Sequence, residues 1–159
     1  MKSILILDDD MDILNIMEKW LGHAGYDEIA LYKPPELQSI LAENNIELIL
    51  QDEHLQTEPL FKHVQEYQDG VATKDSFNKR IQQAYAPGLA ITHLLRQSGY
   101  DGLLYIMVAG LDYAPANLKD LYLRFGASNV IEKPFHPKEF AYETLPLILD
   151  TNCGNLSAH

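Results

Sequence analysis

Asp8, Asp9 and Asp10 stand in a row directly after the apolar run Ile4-Leu5-Ile6-Leu7. Asp52 follows a second largely apolar run, Ile46 to Gln51, and Lys133 follows the short segment Asn129-Val130-Ile131-Glu132. Carboxylates drawn within a few ångströms of one another repel, so either a pKa rises or a cation is bound. Oxygen-only ligands suit magnesium or manganese, and magnesium usually keeps several waters and shares a phosphate with one or two carboxylates. With that charge supplied, Asp52 is free to act as a nucleophile, and Lys133, a compact ammonium, to pair with a phosphoryl oxygen. Phosphoryl capture is the chemistry such a cluster offers.

The elements that must position these residues follow from hydrophobic spacing. Ile4 to Leu7 reads as a strand buried on both faces, so charge begins where the strand stops. Asp10 can cap a helix carrying Ile13, Ile16, Met17, Trp20, Leu21 and Ala24, with Gly25 placed to end it. Glu28 to Tyr32 predicts a second strand, and Pro34-Pro35 opens a helix through Leu37, Ile40 and Leu41 to the stop at Asn44-Asn45. Ile46 to Gln51 is the third strand. Pro87-Gly88 introduces a helix through Leu89, Ile91, Leu94 and Leu95, followed by a fourth strand from Leu103 to Val108. A helix from Pro115 to Arg124, closed by Gly126, precedes the fifth strand, Asn129 to Glu132, and a final helix runs from Pro137 to about Leu149. Such alternation requires a parallel sheet with helices on both faces. Ligands bind at the carboxyl ends of such strands, the edge at which Asp8, Asp9, Asp52 and Lys133 all arrive.

Composition removes several function classes. A chain of 159 residues suits one domain with its own core. No apolar run approaches the ~20 residues of a membrane span, and the run after Met1-Lys2-Ser3 is too short for a signal-peptide core, so a soluble cytoplasmic protein is expected. Cys153 is alone, which fits a reducing compartment. The net charge of -11, from 23 acidic against 12 basic residues, repels a nucleic-acid backbone and excludes direct binding to one.

Taken together, these stretches resemble the receiver domain of bacterial two-component response regulators. The matching residues are Ile4 to Asp10, Glu47 to Asp52, Pro87-Gly88-Leu89, and Gly126-Ala127-Ser128-Asn129-Val130-Ile131-Glu132-Lys133-Pro134-Phe135. The resemblance implies a doubly wound α/β fold with a five-stranded parallel sheet in the flavodoxin-like order 2-1-3-4-5. It covers residues 1–150 apart from an insertion at 56–86, and leaves 151–159 as a flexible tail. It implies Asp52 as phosphoacceptor, Asp8 and Asp9 as the acidic pocket, the main-chain carbonyl of His54 as a further metal ligand, and a cis peptide between Lys133 and Pro134. The implied cofactor is magnesium or manganese. The implied partners are a sensor histidine kinase or phosphotransfer protein and a downstream protein, with a homodimer also compatible. No enzymatic activity is implied beyond phosphorylation and dephosphorylation of Asp52 itself.

Three departures from that family are visible. Val108 stands where it carries a switch Thr or Ser, and Val130 where it usually carries a Tyr or Phe. Residues 56–86 occupy a strand-to-helix connection that normally needs about 2–6 residues. Within them Leu60, Phe61, Val64 and Tyr67 share one helical face, and Ser76 can cap a short helix burying Phe77, Ile81, Ala84 and Tyr85. A pseudo-receiver that binds partners without phosphorylation is therefore a competing reading. Asp8-Asp9-Asp10 is also similar to the nucleophile motif of haloacid-dehalogenase-type phosphatases, although Asp12 stands where those carry Thr or Val. A calcium loop on Asp8, Asp10 and Asp12 lacks its glycine and closing glutamate, and a simple helix-capping turn remains the plainest alternative for the acids. Glu53 reads either as a solvated side chain or as a further negative charge crowding the pocket.

Overall fold

A computed structural model of the chain describes residues 3–27, 30–31, 37–43, 45–53, 88–114, 116–133 and 136–150. The expectations placed on 56–86, on His54, on the Lys133–Pro134 peptide and on 151–159 lie outside these residues.

Strand β1 (Ser3–Leu7) is followed by helix α1 (Met11–His23), the short β2 (Ala30–Leu31), α2 (Leu37–Glu43) and β3 (Ile46–Asp52). Then come α3 (Leu89–Gln97), β4 (Leu103–Ala109), α4 (Leu118–Arg124) and β5 (Asn129–Lys133). The last helix, α5, opens at Pro137–Glu139, widens into a π segment over Phe140–Thr144 and continues to 150. Among the described residues all strand pairs are parallel, in the order β2-β1-β3-β4-β5, with Ala30 and Leu31 of β2 paired beside β1.

The alternation of side chains along each strand divides the core into two layers. Leu5, Leu7, Ile49, Leu104, Ile106, Val108 and Val130 face α3 and α4, whose Leu89, Ile91, Leu94, Leu95, Leu118 and Tyr122 complete that layer. Ile4, Ile6, Leu48, Leu50 and Met107 face the other way, against Leu14, Met17 and Leu21 of α1 and Phe140, Ala141, Leu145 and Leu149 of α5. Ile4, Leu5, Ile6 and Leu7 are all 0% exposed, which is why β1 needs an unbroken apolar run and contributes about 1.5–3 kcal/mol per side chain.

Several elements differ from the sequence reading, among them α1, α4 and β5. The buried seam of α1 is Leu14, Met17 and Leu21, and Ile16 is turned to solvent at 45% exposure. The seam follows the i, i+3, i+7 spacing that sits nearest the sheet, with Ile13, Trp20 and Ala24 packed along its edge. Helix α4 begins at Leu118 rather than at 115, because Gly110 turns the chain in a left-handed conformation into a 3₁₀ turn, Leu111–Tyr113. Strand β5 runs one residue further, to Lys133, which pairs in register with Ala109.

Arg96 fastens the end of the sheet remote from the acids. Its Nε donates to the Gly126 carbonyl at 2.8 Å, and its Nη1 to the carbonyls of Tyr100 and Gly102 at 2.9 and 2.8 Å. Gly126 must be glycine on two counts: its φ of +110° is left-handed, and a Cβ there would lie 2.6 Å from Arg96 Cγ.

Candidate metal and phosphoryl site

Strand register brings the acids together. Leu7 pairs with Gln51, so the residues that follow them, Asp8 and Asp52, leave β1 and β3 side by side. Carboxylate oxygens of Asp8, Asp9 and Asp52 lie within 4.8 Å of one another. Asp8 and Asp52 are buried and Asp9 is exposed, so the cluster has a closed floor and one open wall. Lys133 arrives from the end of β5, in register with Ala109 at the end of β4. Its Nζ lies 2.6 Å from Asp8 Oδ2 and 3.3 Å from Asp52 Oδ1.

The turn after β1 uses its three aspartates differently. Asp8 accepts the Asp10 backbone N–H on Oδ1 at 3.0 Å, leaving Oδ2 for Lys133. Asp10 is the N-cap of α1, accepting from Asp12 N at 2.9 Å and Ile13 N at 3.4 Å. Helix capping thus accounts for Asp10 but not for Asp8 or Asp9. Burial pulls the Lys133 ammonium down, but the hydrogen bond to Asp8 and the charge of Asp52 outweigh it, so its pKa ends above the ordinary lysine value and the group is charged.

Three carboxylates and one ammonium leave two formal negative charges, which one divalent cation neutralises. The donors are all carboxylate oxygens, the set that fits magnesium, manganese or calcium rather than a thiophilic metal. Val108 and Val130 are both buried, at 2% and 4% exposure, in the layer facing α3 and α4, and neither side chain has a hydrogen-bonding group.

Glu53 corrects the sequence reading. It is neither solvated nor part of the acidic cluster: it is 3% exposed, and its carboxylate accepts the Tyr122 hydroxyl of α4 at 3.4 Å. Its N–H donates to the Met107 carbonyl at 3.0 Å, extending the β3–β4 pairing one residue beyond Asp52. On the other side of Asp52, the buried Gln51 donates from Nε2 to the Gly88 carbonyl at 3.0 Å. Thr92 Oγ1 shares that carbonyl at 3.0 Å and reaches Gln51 Oε1 at 3.4 Å. Tyr122, Gln51 and Thr92 are functional candidates that sequence reasoning missed. The one available signal was at Gln51, a polar residue directly after the apolar Leu48-Ile49-Leu50.

Comparison with solved structures gives likenesses at low sequence identity. A receiver domain protein (CheY-like) from Methanospirillum hungatei JF-1 is 20% identical with a TM-score of 0.66, covering 98% of each chain. The chemotaxis response regulator CheY4 of Vibrio cholerae is 16% identical with a TM-score of 0.63, covering 93% of this chain and 98% of its own. A response regulator from Burkholderia pseudomallei, crystallised with a phosphorylated aspartic acid, a calcium ion and citrate, is 18% identical with a TM-score of 0.61, covering 99% of this chain and 72% of its own. No protein-family model and no curated protein sequence matches the chain. With its parallel sheet, its two helical layers and its acidic cluster at the carboxyl edge, the chain has the fold of the response regulator receiver domains.

Proposed function

We propose that this chain is an atypical response-regulator receiver module that accepts a phosphoryl group on Asp52, with magnesium or manganese, and signals through protein contacts. The observation that carries this reading is the meeting of Asp8, Asp9, Asp52 and Lys133 at one edge of the sheet. Asp8, Asp9 and Asp52 would hold the cation, with the His54 main-chain carbonyl proposed as a further ligand. Bound there, a divalent cation neutralises charge on the phosphoryl oxygens.

The side chains divide the remaining work. A carboxylate oxygen of Asp52 forms the new bond to phosphorus as the bond from phosphorus to the donor breaks; the donor is a phosphohistidine nitrogen or the acetyl oxygen of acetyl phosphate, which departs as acetate. Lys133, already 3.3 Å from Asp52, is placed to pair with an oxygen of the transferred group. Asp9, the exposed acid, leaves one side of the cluster open to an arriving donor.

The finer features belong to the same proposal: a complete doubly wound five-stranded sheet, an insertion at 56–86 between β3 and α3, and no enzymatic turnover beyond the chemistry of Asp52. A sensor histidine kinase or phosphotransfer protein as donor and a cytoplasmic location complete it. Among the described residues, no helix is long and apolar enough to cross a membrane.

Incubation with magnesium and acetyl phosphate tests the reading by intact mass. A phosphoryl adduct that disappears in Asp52→Asn supports it, and an unmodified wild-type chain rejects it. A second reading, a pseudo-receiver that signals without phosphorylation, is favoured by the hydroxyl-free Val108 and Val130. It fails if the phosphorylated form accumulates and changes partner binding or oligomeric state.

A further inference from the structure

The last two residues of β3, Gln51 and Asp52, and the one after them, Glu53, are polar and face different ways. Asp52 joins the acidic cluster, whereas its neighbours Gln51 and Glu53 reach into the layer beneath α3 and α4. Gln51 and Thr92 both bond the Gly88 carbonyl, which ties the strand to the start of α3. Glu53 is tied to α4 by the Tyr122 hydroxyl. The packing leaves no slack. A Cβ at Gly88 would lie 2.8 Å from both Gln51 Nε2 and Tyr122 Oη, and 3.2 Å from the Glu53 carbonyl oxygen.

Helix α4 is short and buries only Leu118 and Tyr122. Tyr122 is 0% exposed, so its position in the core largely sets that of the helix. It shares its apolar layer with Val108 and Val130, whose side chains carry no polar group toward the site. Burial first, then the charge of Glu53, raise the Tyr122 phenol far above its ordinary value, and the charge of Asp52 adds to the effect.

We propose that Tyr122 is a positioning residue that transmits a change of charge at Asp52 to helix α4 through Glu53. The inference rests on the phosphoacceptor reading given above and names the route by which that site is read out. A phosphoryl group on Asp52 adds negative charge one residue along the chain from the buried Glu53, in a largely dry environment where charge repulsion is weakly screened. Glu53 moves away from it, the hydroxyl bonded to Glu53 follows, and α4 shifts with its anchoring ring. No hydroxyl at position 108 and no aromatic ring at position 130 are needed.

The test uses the full chain with magnesium and beryllofluoride, a mimic that bonds an aspartate oxygen. Fluorine NMR reports the adduct, and amide NMR reports Gln51, Glu53 and Leu118–Arg124. In the wild type the adduct forms and both sets of amides shift. Tyr122→Phe keeps the ring and loses only the hydroxyl: the adduct still forms, Gln51 and Glu53 still shift, and the response of α4 is lost. Glu53→Gln keeps a hydrogen-bond acceptor without the charge and also loses the response. An α4 response of wild-type size in either variant overturns the inference alone, as does a wild-type adduct that leaves α4 unmoved. Absence of any wild-type adduct overturns the phosphoacceptor reading and this inference with it.

Discussion

Replacing Lys133 by methionine removes the ammonium between Asp8 and Asp52 while keeping most of the side chain's volume. The ammonium lies 2.6 and 3.3 Å from the two carboxylates, and the lysine side chain is only 12% exposed. Breaking a buried ion pair by deleting one partner costs about 3–5 kcal/mol, and the open wall at Asp9 places this site near the lower end. For a chain of this size, a loss of about 3 kcal/mol lowers the melting temperature by about 6–12 °C in the absence of metal. The same substitution has the opposite effect on cation binding. A dication and an ammonium about 5 Å apart repel by about 1.7 kcal/mol even at the dielectric constant of bulk water, so magnesium binds at least about tenfold more tightly once the lysine is gone. Thermal unfolding of both proteins with EDTA and across a magnesium series measures the two effects together. The variant should melt lower than the wild type in EDTA and gain more from magnesium. A loss below about 1 kcal/mol, or a deficit that magnesium leaves unchanged, refutes the idea that Lys133 and a cation serve the same carboxylates.

Gly88→Ala forces a methyl group against Gln51 Nε2 and Tyr122 Oη and should cost about 1–3 kcal/mol by urea unfolding. Gly22→Ala in α1, where nothing lies within 4 Å, should instead stabilise by about 0.5–1 kcal/mol, so equal effects at the two glycines would contradict the close approach at position 88. Asp10→Ala removes the N-cap of α1 and should cost about 1 kcal/mol without weakening magnesium binding, whereas Asp8→Asn should weaken it; the reverse order in a calorimetric titration contradicts the division of labour in that turn. Burial raises the phenol pKa of Tyr100 and, with the Glu53 charge, that of Tyr122. The unfolded chain therefore loses those protons first: stability is fully present below pH about 10 and falls above it, by at most about 1.4 kcal/mol per pH unit for each ring. Tyrosinate absorbance should show these two of the nine tyrosines ionising only as the protein unfolds.

The site was legible in the sequence because the physics that places it is local. Strands buried on both faces are mainly apolar, so the acids that follow Leu7 and the run Leu48-Ile49-Leu50-Gln51 mark the carboxyl edge of the sheet, and parallel register carries Asp8 and Asp52 to the same level. Lys133 was found differently, as the residue that ends the fifth strand just before Pro134. Glu53 was misjudged because its partner is 69 residues away on α4, and nothing in the spacing around position 53 points to a tyrosine there. The α1 seam was displaced from Ile16 to Leu14 because both fit a helical stripe, and only the sheet decides which side faces inward. The start of α4 was placed too early because a proline suits a first helical turn, whereas the left-handed Gly110 and its 3₁₀ turn redirect the chain before the helix begins. The π segment of α5 left no mark in the composition of Phe140–Thr144.

The central claim is that Asp8, Asp9 and Asp52 share one divalent cation beside a phosphoryl-accepting oxygen. A crystal structure grown with magnesium and beryllofluoride tests it most directly. The account predicts a cation ligated by oxygens of all three aspartates, with the fluoride adduct on Asp52 and Lys133 Nζ turned toward a fluorine. Crystals from the same solution showing Lys133 still clamped between Asp8 and Asp52, with neither cation nor adduct bound, would contradict it.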